Sequence, residues 1–203
     1  MDIFYIGGSP CSGKSTVAEI IAKKFDLHYF RVDDHLEEYI QAAADNNYPI
    51  SSKISGMKPE QIWMRNPVDQ KDEELELYRE MFGFIKDDLN KINHYRGIIA
   101  EGVAFLPELM WQEKVKQNHF LCITPTIEFQ ISHYKERTWI SNVLKGCSNQ
   151  ELAFENWMNR DALFAKEVRR MCMEVGYHSL INDGSSSIDE MVHQVIRIYE
   201  LKM

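Results

Sequence analysis

Apolar positions along the chain follow two rhythms. Short dense runs of β-branched and aromatic residues mark buried strands, and longer stretches with apolar residues three and four apart mark amphipathic helices. Strands are predicted at Ile3–Ile6, His28–Val32, Gly97–Val103, Asn118–Thr124 and His178–Asn182. Helices are predicted from Ser15 to Phe25, from His35 to Ala44, from Glu73 to Asn93, from Pro107 to Lys116 and from Ile188 to Leu201. The third carries its stripe on Leu75, Leu77, Tyr78, Met81, Phe82, Ile85 and Leu89. Between Asp45-Asn46-Asn47-Tyr48-Pro49, which stops the second helix, and Glu73, the segment Ser51–Asp69 lacks a sustained period and reads as loop-rich. Strands separated by helices predict an α/β chain with a parallel sheet.

Two connections are longer than that sheet requires. A parallel crossover needs about a dozen residues, whereas about sixty separate the second and third strands, so residues 34–96 are expected to form an element covering the acceptor. After Pro125 the pattern is helical for about fifty residues, over a stretch holding Arg137, Arg160, Arg169 and Arg170. Residues 126–175 are expected to be a helical lid, and residues 1–33, 97–125 and 176–203 the core of one domain. Trp157, Phe164 and Val168 read as packing positions of the lid helices.

The 203 residues, 44% hydrophobic, suffice for one substantial core, and the net charge of −8 opposes a broad nucleic-acid or anionic-membrane footprint. Positive charge must therefore be local to a site. The four cysteines, Cys11, Cys122, Cys147 and Cys172, show no metal-binding spacing. With no leader and no apolar run of membrane-spanning length, a reduced, cytoplasmic protein is expected, a monomer or homodimer whose partner is a small molecule, not nucleic acid or membrane.

The chemistry concentrates in Gly8-Ser9-Pro10-Cys11-Ser12-Gly13-Lys14-Ser15, which fits G-x-x-x-x-G-K-[ST]. Backbone N–H groups of such a loop converge on phosphate oxygens, the lysine neutralises their charge, and the serine hydroxyl falls where Mg²⁺ is bound. Context supports the motif, because a strand precedes it and a helix N-terminus follows. Asp33 and Asp34 stand at the C-terminal end of the second strand, on the ligand edge of an open sheet. One is expected to act on an acceptor hydroxyl or on magnesium and the other to cap the helix beginning at His35 or touch the substrate; Asp33, directly after the apolar strand, is the better placed for chemistry. Glu101, ending the third strand, is a candidate for the magnesium shell or an acceptor hydroxyl, and Gly102 beside it would let backbone approach a ligand. Arg65, amid Trp63, Met64 and Pro67, reads as a surface arginine or an anion clamp on the acceptor.

Loop, double aspartate, Glu-Gly strand and arginine-bearing helices together resemble the P-loop small-molecule kinases, among them adenylate kinase, shikimate kinase, uridine kinase and chloramphenicol phosphotransferase. The resemblance runs over the whole chain in element order, and in residues over short motifs only. It implies a three-layer P-loop NTPase fold with a five-stranded parallel sheet in the order 2-3-1-4-5. It further implies an ATP- and Mg²⁺-dependent phosphotransferase acting on a small hydroxyl or phosphate acceptor. Gly8, Ser9, Cys11, Ser12, Gly13, Lys14, Ser15 and Thr16 would hold ATP phosphates; Ser15, Asp33 and Glu101 would organise magnesium. Asp34, Arg65, Glu101 and Gly102 would meet the acceptor. Arg160, in Asn159-Arg160-Asp161, looks like a lid arginine with Arg137 the alternative, and Gly184 falls where the family's adenine-flanking loop lies. The full adenylate-kinase lid signature is missing, and the 34–96 insert departs from shikimate kinase in length and content.

The other functional classes are a nucleotide-hydrolysing switch and a nucleotide-binding regulatory protein, the latter disfavoured by an intact Lys14 and Ser15. A GTPase would carry Asn-Lys-x-Asp late in the chain; the nearest string here, Asn90-Lys91-Ile92-Asn93, lacks the aspartate and comes early. An apolar strand ending in a magnesium-holding aspartate, typical of mechanical ATPases, is replaced by one ending in Glu101. Transfer is therefore favoured over hydrolysis.

Overall fold

The structure, a computed structural model, describes residues 1–94 and 96–202. Five strands, β1 (Ile3–Gly8), β2 (His28–Arg31), β3 (Ile98–Glu101), β4 (Phe120–Pro125) and β5 (His178–Asn182), form one sheet in the order β2-β3-β1-β4-β5. Every pairing is parallel, as expected. The register sets Glu101 level with Ile6 on one side and with Arg31 on the other, and Gly8 level with Ile123. The C-terminal strand ends thus share one edge with the residues that follow them.

Strand alternation divides the core in two. Phe4, Ile6, Ile99, Leu121 and Ile123 pack beneath α1 (Lys14–Phe25) together with Val17, Ala18 and Ile21. Ile98, Ala100, Phe120 and Cys122 point to the opposite face. They meet the insert helices α2 (Leu36–Asp45), α3 (Pro49–Ser55) and α5 (Pro67–Lys91) through Tyr39, Ile50, Leu75, Met81, Ile85 and Leu89, whereas α4 (Pro59–Trp63) packs through Trp63 in a separate cluster with Trp157. Next come α6 (Pro107–Gln112), α7 (Ile127–Lys135), α8 (Ile140–Val143) and α9 (Gln150–Val175), and α10 (Ile188–Tyr199) joins α1 through Met191, Val192 and Val195. The result is helix, sheet, helix.

Several boundaries differ from the sequence reading. The stretch read as loop-rich forms α3 and α4. They escape a periodicity search because α3 is held from outside itself: the Glu80 carboxylate accepts from Ile50 N (2.9 Å), Ser51 N (2.7 Å) and Ser51 Oγ (2.6 Å). Helix α5 begins at Pro67, not Glu73, with the Asn66 side chain capping Val68 N at 2.8 Å. Helix α6 stops at Gln112, short of Lys116, where Lys114 turns left-handed. Phe164, Val168, Met171 and Cys172 of α9 sit in the same cluster as Phe105 and Phe120, so the C-terminal half of the region expected to be a lid is part of the layer against the sheet.

Candidate functional site

The phosphate loop is shaped by close backbone contacts. Gly8 (φ 125°) passes so near β4 that a Cβ there would lie 1.9 Å from Ile123 O, and Ser9 N donates to that carbonyl at 3.2 Å. Cys11 (φ 59°) and Gly13 (φ 85°) turn the chain through left-handed conformations before α1 starts at Lys14. From the far side Asn182, ending β5, donates Nδ2 to Ser12 O at 3.1 Å. It also accepts from Gly184 N at 3.1 Å, and Gly184 (φ 84°) lies against the ring of Phe129. The loop that Gly184 opens is thereby tied to the phosphate loop. Asn182 was missed in the sequence; its position at the end of the strand beside β4 was the available signal.

A phosphate chain fits this cradle. The N-terminus of α1 has no side-chain cap, which leaves its first N–H groups pointing at the loop. The Ser9 and Ser12 hydroxyls are buried without hydrogen-bond partners. Lys14 is buried too, its Nζ 4.0 Å from Glu101 Oε2. Thr16 is exposed on the first turn of α1.

Glu101 is fully buried, and its Oε2 has no hydrogen-bond partner. The other oxygen accepts from Tyr29 Oη at 3.2 Å and lies 3.5 Å from Arg31 Nε. Burial raises its carboxyl above the ordinary range, while Lys14, Ser15 and Arg31 draw it back and Asp33 opposes them. Tyr29, whose hydroxyl also reaches Ser15 O at 3.4 Å, is a second residue the sequence did not single out. Gly102 does not open space for a ligand: a Cβ there would strike Val32 at 2.6 Å, so the glycine serves the packing of β3 against the β2 end. Among the described residues no group of three or more His, Cys, Asp or Glu side chains gathers as a metal cage. Magnesium needs none, since it is held through one or two protein groups with phosphate oxygens and water, and Ser15 with the unpartnered Glu101 oxygen suits that.

Asp33 and Asp34 lie in a single 3-10 turn, Val32–His35. Neither caps α2: its N-cap is His35, with no side-chain hydrogen bond, which overturns the capping role expected for one of them. Asp34 instead lies 3.5 Å from Arg31. Asp33 is exposed, close enough to Glu101 and to Tyr78 of α5 to raise both.

The two lid arginines part company. Arg137 reaches the phosphate loop, Nη2 donating to Cys11 Sγ at 3.5 Å while its guanidinium lies 4.7 Å from the Tyr134 ring centre and 5.6 Å from that of Trp139. Burial raises the Cys11 thiol, with Arg137 pulling the other way. Arg160 is held between helices, with Nη1 2.9 Å from Glu74 Oε1 and Nε 2.7 Å from Asp161 Oδ1, the latter out of line for a hydrogen bond. It also faces the Trp63 ring at 5.3 Å, and Trp63 stacks on Trp157 at 4.4 Å. Arg160, read from sequence as a lid arginine, occupies a buried junction of α5, α4 and α9. Arg65 pairs with Glu73, as a surface arginine would. Arg169 donates to Thr124 Oγ1 at 2.9 Å, and Arg170 pairs with Glu167 and Glu174.

No family model and no curated protein matches the sequence. Solved structures do match the fold. The shikimate kinase of Bacteroides thetaiotaomicron superposes with a TM-score of 0.60 at 11% identity, over 98% of this chain and 99% of that one. The protein TT1252 of Thermus thermophilus gives 0.52 at 18% identity, over 100% and 98%. The shikimate kinase of Acinetobacter baumannii, in complex with shikimate, gives 0.50 at 14%, over 98% and 92%. Strand order, phosphate loop and these likenesses agree, and the chain has the P-loop NTPase fold found in shikimate kinases.

Proposed function

We propose that this chain is an ATP- and Mg²⁺-dependent phosphotransferase that moves the terminal phosphoryl group of ATP to a small-molecule acceptor. The observation that carries the reading is the phosphate cradle: Lys14 buried behind a left-handed loop whose Ser9 and Ser12 hydroxyls are unpartnered. Gly8 to Thr16 hold the phosphates, Lys14 offsetting their charge, and Ser15 with Glu101 holds magnesium, which supplies charge neutralisation on the phosphate oxygens. Arg137, stacked on Tyr134 and touching Cys11, serves the charge that shifts during transfer. Asp33, exposed beside Glu101 and Tyr78, aligns an acceptor hydroxyl and takes its proton late in the reaction. The likeness to shikimate kinases supports transfer over hydrolysis.

Two measurements test this. ATP with Mg²⁺ at a hundred times its Kd is expected to stabilise the protein by about 2.7 kcal/mol, with no such gain in Ser15→Ala at the same concentration. Radiolabelled ATP incubated with protein and a small-molecule cell extract is expected to label a product; release of inorganic phosphate alone would make the chain a hydrolase.

A further inference from the structure

Glu101 is the buried carboxylate at which the phosphate loop, α1 and the end of β3 meet, and its two oxygens have different surroundings. Oε1 accepts from Tyr29 Oη at 3.2 Å, whereas Oε2 has no hydrogen-bond partner and lies 4.0 Å from Lys14 Nζ. The same Tyr29 hydroxyl lies 3.4 Å from Ser15 O, the carbonyl of the residue assigned to magnesium. Register explains the reach. Tyr29 stands opposite Ile99 and Arg31 opposite Glu101, so strand alternation turns all four side chains to the face that α1 covers. Two residues of parallel strand span about 6.6 Å, roughly the length of a tyrosine side chain, and Tyr29 meets the carboxylate on the diagonal.

We infer that Tyr29 is a positioning residue for the metal: by holding Glu101 Oε1, it presents Oε2 alone to magnesium, or to a water of its shell, beside Ser15. The inference rests on the kinase reading above and adds to it a residue of β2, outside the phosphate loop.

Three observations carry it. Glu101 is fully buried, so an oxygen there without a donor is costly, and a cation or a water of its shell at Oε2 relieves that cost. Lys14 does not relieve it, because 4.0 Å is beyond hydrogen-bonding reach. Arg31 does not stand in for Tyr29 either. Its Nε is 3.5 Å from Glu101 Oε1, its Nη1 is equally far from Asp34, and its side chain is 43% exposed, so its charge is shared and screened. The tyrosine hydroxyl is thus the closest donor on this carboxylate. An outer partner of that kind decides which way a ligating carboxylate turns, and magnesium tolerates little error in the placement of its ligands.

The test measures binding, not turnover. The full chain is titrated calorimetrically with ATP in excess Mg²⁺ and again in EDTA, as wild type and as Tyr29→Phe, and thermal transitions check that each is folded. Wild type is expected to bind ATP more tightly with Mg²⁺. In Tyr29→Phe that gain is expected to shrink about tenfold or more, with the affinity in EDTA unchanged. A merely structural tyrosine would move both affinities together, so an equal loss in Mg²⁺ and EDTA overturns the inference, as does a magnesium gain equal to that of the wild type. In a Glu101→Gln background, Tyr29→Phe is expected to change the magnesium gain less than about twofold, since the hydroxyl acts through the carboxylate. The full loss in that background also overturns the inference. Failure of the kinase reading looks different: wild type that binds no ATP sinks that reading, and wild-type binding indifferent to Mg²⁺ removes the metal roles of Ser15 and Glu101 and this inference with them.

Discussion

The phosphate loop and the Arg160 junction are both buried and polar, yet they are built in opposite ways. At the loop, eight consecutive residues are held through their own backbone: Gly8 against Ile123, Ser9 N donating to Ile123 O, and Ser12 O accepting from the Asn182 side chain. At the junction, the side chains of Glu74, Arg160, Asp161, Trp63 and Trp157 arrive from three helices spread over about a hundred residues of sequence. A site made of backbone tolerates exchange of most side chains in it. One made of opposing buried charges does not, because each charge is stable only while its partner is present.

The difference is broken most sharply at Lys14. Lys14→Met is expected to lower transfer by about a thousandfold, the upper range for removing one preorganised electrostatic contact. Near-normal turnover in that variant would sink the assignment of the loop. At the junction, Arg160→Ala is expected to act on stability first, removing about 3–5 kcal/mol by stranding Glu74 and Asp161. In a chain of this size that is a fall in Tm of about 10 °C. A variant that melts with the wild type and loses only kcat would return Arg160 to a lid role.

Arg137→Ala should behave in the reverse manner, with kcat down about a hundredfold and melting little changed, since its contacts are a sulfur and two ring faces. Asp33→Asn is expected to cost turnover about a hundredfold with ATP binding retained; equal activity would pass the acid-base role to Asp34 or to neither. A further test is in pH. Burial raises Glu74 to about 7, so the folded chain holds its proton more tightly than the unfolded one, and this group's contribution to stability is full below the unfolded value near 4.5 and is lost as pH rises to about 7. Arg160, Asp161 and Tyr78 face it. Stability of Glu74→Gln measured by denaturant between those pH values should be flatter than that of the wild type; parallel curves would show that Glu74 does not titrate there.

The same contrast explains how much could be read from sequence. The strand spacing and loop motif were legible because each is local: β1, the glycine loop and α1 announce themselves within 25 residues. The partners of Arg160 were hidden for the opposite reason, since nothing near Asn159-Arg160-Asp161 in the sequence reveals Glu74. Helices α3 and α4 were hidden likewise, α3 being anchored by Glu80 about thirty residues away.

By itself, then, the sequence determined the parallel α/β core and the phosphate loop, because hydrophobic period, glycine conformational freedom and helix-terminus polarity act within a few residues. Only the tertiary structure decided which arginine touches the phosphate loop and which is locked among carboxylates. It also decided that neither Asp33 nor Asp34 caps α2, and that Gly102 yields its space to Val32. Those outcomes depend on which distant side chains exclude water from a charge and supply its partner, and burial of that kind is set when the helices meet on the sheet.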